Sequence, residues 1–148
     1  MTDNSYEDRG KSMSEKVLKV GADIDRWPEV LAFIDSNLEE HDVSPKIQIQ
    51  IDISIEELFV NIAHYAYPDS KGWAEIHVLI TDDEAEFTLI DGGIPYDPLA
   101  KPDPDISLAA EDRQIGGLGI FMVKKQVDKM SYSYEDGHNI LKISKKLR

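Results

Sequence analysis

Apolar residues recur along this chain at two spacings, and the changes of spacing divide it into elements. Val17-Leu18-Lys19-Val20 is a short run with strand propensity. Trp27, Val30, Leu31, Ile34 and Leu38 then repeat at intervals of three and four, which predicts a helix. Asp25 stands where an N-cap is expected. Pro28 falls in the first turn, where its missing N–H costs nothing. Ser44-Pro45 breaks the chain. Residues 73–81 and 86–90 read as strands joined by the acidic turn Asp82-Asp83-Glu84, hence an antiparallel hairpin. Ile120, Val123, Val127 and Met130 place a helix over 119–130. Strands at 131–134 and 140–144 flank Asp136-Gly137, a pair suited to a tight hairpin turn.

One segment carries both periods. Ile47, Ile49, Ile51, Ile53 and Ile55 alternate with polar residues, as in a strand. Residues 55–67 are plainly helical, with Ile51, Ile55, Leu58, Ile62 and Tyr65 on one side. Pattern alone favours a helix that begins at Ser54. An earlier start, near Pro45, remains the alternative. In sum the elements give an α+β fold, a two-layer α/β sandwich. About three helices cover one face of a mixed, mostly antiparallel sheet. Residues 1–14 are polar and read as a disordered tail, and 15–148 as a single domain.

The helical segment bears a narrow polar stripe. At about 100° per residue, Glu57, Asn61 and His64 point in nearly one direction. An amide oxygen can hold a hard cation such as Mg²⁺, and a carboxylate one turn away can take a proton from a hydroxyl. Each residue also has a plainer reading. Ser54-Ile55-Glu56-Glu57 fits a capping box, in which Glu57 only ties off a helix start. His64 reads equally as a surface residue near a helix end.

Two glycine-bearing stretches follow. Asp91 ends a strand and precedes Gly92-Gly93; a carboxylate there can accept a hydrogen bond from an exocyclic amine, or simply mark a turn. Gly116-Gly117-Leu118-Gly119 precedes a helix directly. Glycines let the backbone approach a ligand closely, and free N–H groups at a helix start favour phosphate; a glycine-rich hinge is the plainer reading. The stretch is not a P-loop, since no Lys-Ser or Lys-Thr follows. Nor does it follow a strand as a dinucleotide fingerprint would. The intervening segment, 92–115, holds four prolines and no periodicity, as a lid over a ligand could.

Composition narrows the field. The 148 residues carry 29 acidic against 16 basic side chains, a net charge of −13. That excess argues against nucleic acid or an anionic membrane as partner. It also requires that any nucleotide be held by Mg²⁺, backbone N–H groups and local lysines. With no cysteine, disulfides and thiolate metal sites are excluded. No segment is apolar enough to span a membrane, and 1–11 has no signal-peptide core, so a cytoplasmic location is expected.

Three separated motifs in this order resemble the GHKL superfamily of ATP-binding domains, the histidine-kinase-like ATPases. The chain looks most like the small bacterial anti-sigma-factor serine kinases. The likeness rests on Glu57-x-x-x-Asn61-x-x-His64 with Tyr67-Pro68 behind it, on Asp91-Gly92-Gly93-Ile94-Pro95-Tyr96-Asp97-Pro98, and on Gly116-Gly117-Leu118-Gly119-Ile120-Phe121-Met122-Val123. It implies that ATP lies under the lid and that Asn61 holds Mg²⁺. Asp91 would bind the adenine amine, and Gly93 would let the base approach. His64 and the backbone of Gly116, Gly117, Leu118 and Gly119 would join the nucleotide site, with Gly117 and Gly119 around the phosphates. Glu57 would activate the hydroxyl of a protein serine. In that family the serine lies on an antagonist of the STAS fold, whose unphosphorylated form frees a sigma factor, and the kinases are homodimers. The resemblance also favours the earlier helix start. The chain departs from the pattern in lacking an arginine directly before the glycines. Arg113 is out of step, which leaves Lys124 or Lys125 to meet a γ-phosphate. A module that binds ATP and sequesters a partner without phosphorylating it is the alternative.

Overall fold

A computed structural model describes residues 15–100 and 117–148. Five strands form one sheet: β1 (Glu15–Gly21), β2 (Trp73–Ile80), β3 (Glu84–Asp91), β4 (Lys129–Glu135) and β5 (His138–Lys146). Their order is β1-β2-β3-β5-β4, and every pairing is antiparallel. The sheet expected to be mixed is thus antiparallel throughout these residues. Three helices, α1 (Trp27–Glu40), α2 (Pro45–Asn61) and α3 (Gly117–Gln126), complete the α+β architecture.

Strand alternation decides which sheet face meets the helices. In β2 and β3 every second residue is buried, giving Ala74, Ile76, Val78 and Ile80 beside Ala85, Phe87 and Leu89. Leu141 and Ile143 of β5 extend this inner face. Against it pack Val30, Ile34 and Leu38 of α1, Ile51, Ile55, Leu58 and Phe59 of α2, and Ile120 and Val123 of α3. Burying such side chains stabilises by about 1.5–3 kcal/mol each relative to exposure. The inner rows of β3 and β5 end differently. Asp91 and Asn139, paired directly across the two strands, are polar yet only 4% and 5% exposed.

The contested segment is helical from Pro45. Ser44 caps it, accepting a hydrogen bond from the Ile47 N–H at 3.3 Å, and Pro45 sits in the first turn. The isoleucine alternation misleads because only every fourth residue faces the core. Ile51 and Ile55 are buried, while Ile49 and Ile53 are 58% and 51% exposed. Glu57 therefore lies well inside the helix, and the capping-box reading fails. Beyond Asn61 the chain widens into a π-turn, Ile62–Ala66, a feature often found beside functional sites.

Two boundaries differ from expectation. Asp23, rather than Asp25, supplies the cap: its carboxylate accepts from the Asp25 N–H at 2.9 Å and opens a short 3₁₀ turn, Ile24–Arg26, ahead of α1. Helix α3 stops at Gln126 instead of continuing to Met130. The Asp128 N–H is taken by Ser144 O at 2.9 Å and the Asp128 carboxylate takes the Lys146 N–H, so residues from Lys129 onward join the sheet. The Asp136-Gly137 hairpin is present, with φ of 53° and 79°, the left-handed values of a type I′ turn. The expected tail, 1–14, and most of the expected lid lie outside the described residues.

Between α1 and α2 an acidic contact is buried. Asp35 Oδ1 and Asp52 Oδ1 are both buried, and among the described residues neither has a hydrogen-bond donor. Two ionised carboxylates can only accept, so a hydrogen bond between them requires a proton. Burial, the bond to Asp35 and the charges of Asp35 and Glu39 push the Asp52 carboxyl from 3.8 up to about 8. Its folded-state proton affinity exceeds that of the unfolded chain. The stability it confers is complete below about pH 4 and is lost as pH rises towards 8. Denaturation of native protein and Asp52→Asn across this window should show the variant gaining in relative stability as pH rises. A constant difference between the two would rule out the shared proton.

Candidate functional site

A small cleft, partly open to solvent, lies where the two layers meet beside the end of α2. Its floor is the polar end of the inner sheet face, Asp91 and Asn139. Leu58, Asn61, Ile62 and Ala66 form one wall, and Tyr96 and Pro98 approach from the segment after β3. A mostly apolar cleft with a few convergent polar groups is the usual form of a small-molecule site.

Asp91 is held from two sides. Its Oδ1 accepts from the Gly93 N–H at 2.9 Å and from Asn139 Nδ2 at 2.8 Å. Burial raises the affinity of its carboxyl for a proton above the ordinary value. The bonds from Asn139 and Gly93 and the charge of His138 oppose that rise. An ionised Asp91 is an acceptor at the floor of the cleft, suited to an amine.

Gly93 is packed against the π-turn. A Cβ there would come within 2.1 Å of Ala66 O, and the Ile94 N–H donates to that same carbonyl at 2.9 Å. The glycine is needed because the turn after β3 is pressed against the π-turn. Tyr67 fixes the same corner: its hydroxyl donates to Trp73 O and accepts from the Gly92 N–H, both at 2.7 Å.

On α2, Asn61 reaches the cleft with Nδ2 buried and without an acceptor among the described residues. The unbonded amide fits a ligand, since rotated by half a turn it offers an oxygen to a hard cation. Among the described residues no group of three His, Cys, Asp or Glu could hold a metal alone. A single amide suits Mg²⁺ that arrives with substrate phosphates, the habitual arrangement for this ion. His64 is exposed beyond the start of the π-turn, so it leaves the cleft wall, yet its charge reaches Glu57.

Glu57 lies apart from the cleft, against the start of α3. A Cβ on Gly119 would fall 2.3 Å from its carboxyl group, so glycine lets the carboxyl group lie there and any larger residue would make it shift. Burial, and then the neighbouring Glu56, raise the proton affinity of Glu57, while His64 lowers it. A carboxylate shifted in this direction is a better base near neutral pH. Gly117, Leu118 and Gly119 form the first turn of α3, whose free N–H groups favour an anion; Gly116 and Arg113 lie outside the described residues. Lys124 and Lys125, considered as substitutes for the missing arginine, are in the last turn of α3. At 1.5 Å per residue they stand about 8 Å along the axis from Gly119, so the helix does not bring them to its own N-terminus.

Sequence reasoning passed over Asn139 and Tyr132, both in the cleft wall. A strand begun at Ile140 left Asn139 in the turn. The alternation Asn139, Leu141, Ile143 was the signal that a polar residue occupies a core position.

The cleft between helices and sheet, with a carboxylate on its floor and a glycine-started helix nearby, defines a small-molecule-binding α+β domain. The histidine kinase-like ATPase domain family matches residues 20–145, and the chain belongs to that family. It is 26% identical over 103 residues to the serine/threonine-protein kinase BtrW of Bordetella bronchiseptica, covering 68% of this chain and 72% of that protein. It is 25% identical over 96 residues to the serine-protein kinase RsbW of Listeria monocytogenes, covering 62% and 61% of the two chains. Among solved structures, the RsbU and RsbW domains of a Mycobacterium tuberculosis protein superpose with a TM-score of 0.65 at 18% identity; the match covers 90% of this chain and 32% of that one. No described helix is long and apolar enough to cross a membrane.

The two glycines should respond differently to alanine. Gly93→Ala drives a methyl into backbone and should cost ~2 kcal/mol or more in chemical denaturation. Gly119→Ala meets only the mobile end of Glu57 and should stay within about 1 kcal/mol of native. Equal costs would show that the Ala66 contact does not restrict Gly93.

Proposed function

We propose that this protein is an ATP-dependent protein serine kinase that acts by partner switching. It phosphorylates a STAS-type antagonist and, when that antagonist is unphosphorylated, releases a sigma factor or comparable target. The observation that carries the reading is that Asp91 and Asn61 share one cleft while Glu57, one turn before Asn61 on α2, lies against Gly119 at the start of α3. Membership of the histidine kinase-like ATPase family and likeness to proteins named serine kinases support it.

In this reading the ionised Asp91 accepts from the adenine amine at the floor of the cleft. Asn61 lines the phosphate side, His64 acts from outside the cleft through its charge on Glu57, and the N–H groups of Gly117, Leu118 and Gly119 meet the phosphates, with Gly116 at their edge. Bound Mg²⁺ would neutralise phosphate charge, and Asn61 is the residue that would hold it. Glu57, its proton affinity raised by burial, takes the proton of the incoming serine hydroxyl. Gly119 keeps space for that carboxylate beside the helix start. Phosphoryl transfer asks mainly for positioning and charge neutralisation, and the net charge of −13 makes the local arrangement decisive. A homodimer in the cytoplasm completes the proposal.

Calorimetric titration with ATP, with and without Mg²⁺, should show magnesium-dependent binding in the native chain and its loss in Asn61→Ala. A folded native chain that binds no ATP would refute the reading. Glu57→Ala should retain nucleotide binding and lose transfer to the antagonist's serine by about a hundredfold or more. Transfer at the native rate would remove Glu57 from the mechanism, and absence of phosphoserine with native protein would leave a binding module.

A further inference from the structure

Asn139 spends every hydrogen-bonding capacity it has at one point of the cleft. Its Nδ2 donates to Asp91 Oδ1 and to Ile94 O, both at 2.8 Å. Its Oδ1 accepts from the Tyr96 N–H at 3.0 Å and from the Tyr132 hydroxyl at 2.5 Å. An amide has two donors and two acceptor sites, so none remains. The orientation is fixed as well. Ile94 O can only accept and the Tyr96 N–H can only donate, and a flipped amide would face both with the wrong atom. One buried side chain of β5 thereby ties together the end of β3, the segment after it and β4.

The consequence falls on Asp91. Both donors that reach its carboxylate, from Asn139 and Gly93, take Oδ1. Among the described residues no hydrogen bond reaches Oδ2, the atom left as an acceptor in the cleft. We propose that Asn139 is the positioning residue for Asp91 and, through it, the residue that makes the site choose a base with an exocyclic amine over one with an oxo group. This deepens the nucleotide reading above and rests on it. A carboxylate torsion is broad, so without the Asn139 donor the plane of the Asp91 carboxylate can turn away from the orientation that leaves Oδ2 free in the cleft. Burial would then also favour the protonated form, because one bond that stabilises the charge is gone. A carboxyl group that can donate tolerates an oxo group, whereas a fixed, ionised acceptor repels it.

The test uses the full chain with Mg²⁺ and two probes, ATP and inosine triphosphate, which differ where the 6-amino group of one is a 6-oxo group in the other. Native protein should prefer ATP. Asn139→Leu, close in volume and unable to hydrogen-bond, should lower the ratio of the two affinities by about tenfold or more, the scale of a bond to a charged group. Tyr132→Phe removes one support of the Asn139 amide and should lower the ratio by about threefold; it carries the test if the leucine variant does not fold. Weakening of both nucleotides in equal proportion would mean that Asn139 only maintains structure, and would overturn the proposal. A native chain that binds neither nucleotide would overturn the nucleotide reading and this inference with it. Native binding with an unchanged ratio in the variants overturns the inference alone.

Discussion

The site depends on one close contact between the two layers, the turn after β3 pressed against the end of α2. Ala66 O receives the Ile94 N–H at 2.9 Å and occupies the space a Gly93 side chain would need. A buried carbonyl left unpaired is costly, so this bond and the missing Cβ are a joint condition of closing the corner. Once it is closed, Asp91 and Asn139 are held at the floor of the cleft, Asn61 stands in its wall, and Tyr96 and Pro98 are brought over it. Tyr67 braces the corner from behind, linking β2 to the same turn.

Burial raises the proton affinity of three acidic groups in this chain, and their neighbours oppose it to different extents. At Asp91 it is countered by two donors and a nearby histidine, so the carboxylate can remain an acceptor inside the protein. At Glu57 the counterweight is His64 alone, with Glu56 working against it, and the group is left inclined to take a proton. Between α1 and α2, Asp52 Oδ1 has no donor among the described residues, the charges of Asp35 and Glu39 act on it, and a proton becomes part of the packing. The carboxyl group thus differs in its readiness to hold a proton according to what surrounds it. For an acidic protein this matters more than total charge, since an anionic ligand meets only the local arrangement.

Period and turn chemistry in the sequence determined most of the architecture. The β2–β3 and β4–β5 hairpins, the α1 segment and the start of α3 follow from alternation, from three-four spacing and from Asp136-Gly137, because these are local preferences of backbone and side chain. The order of the three motifs carried the family. Asn61 and Asp91, chosen from sequence, do share the cleft, and Glu57 lies at the start of α3 beside Gly119.

Only the tertiary structure decided the remainder. Five isoleucines at period two could not announce a helix, since a helix also buries every fourth residue; Ser44, Pro45 and the packing of Ile51 and Ile55 settled it. The π-turn, which takes His64 away from the cleft wall, is set by how α2 meets the turn after β3, a contact between residues nearly thirty positions apart. The end of α3 was decided by competition, as β5 offered Asp128 a backbone partner. Asn139 was illegible because its value lies in four partners drawn from separate segments, and no local pattern records where those segments meet. Sequence determines which face of an element is apolar; where two polar residues end such faces side by side is decided only when the strands pair.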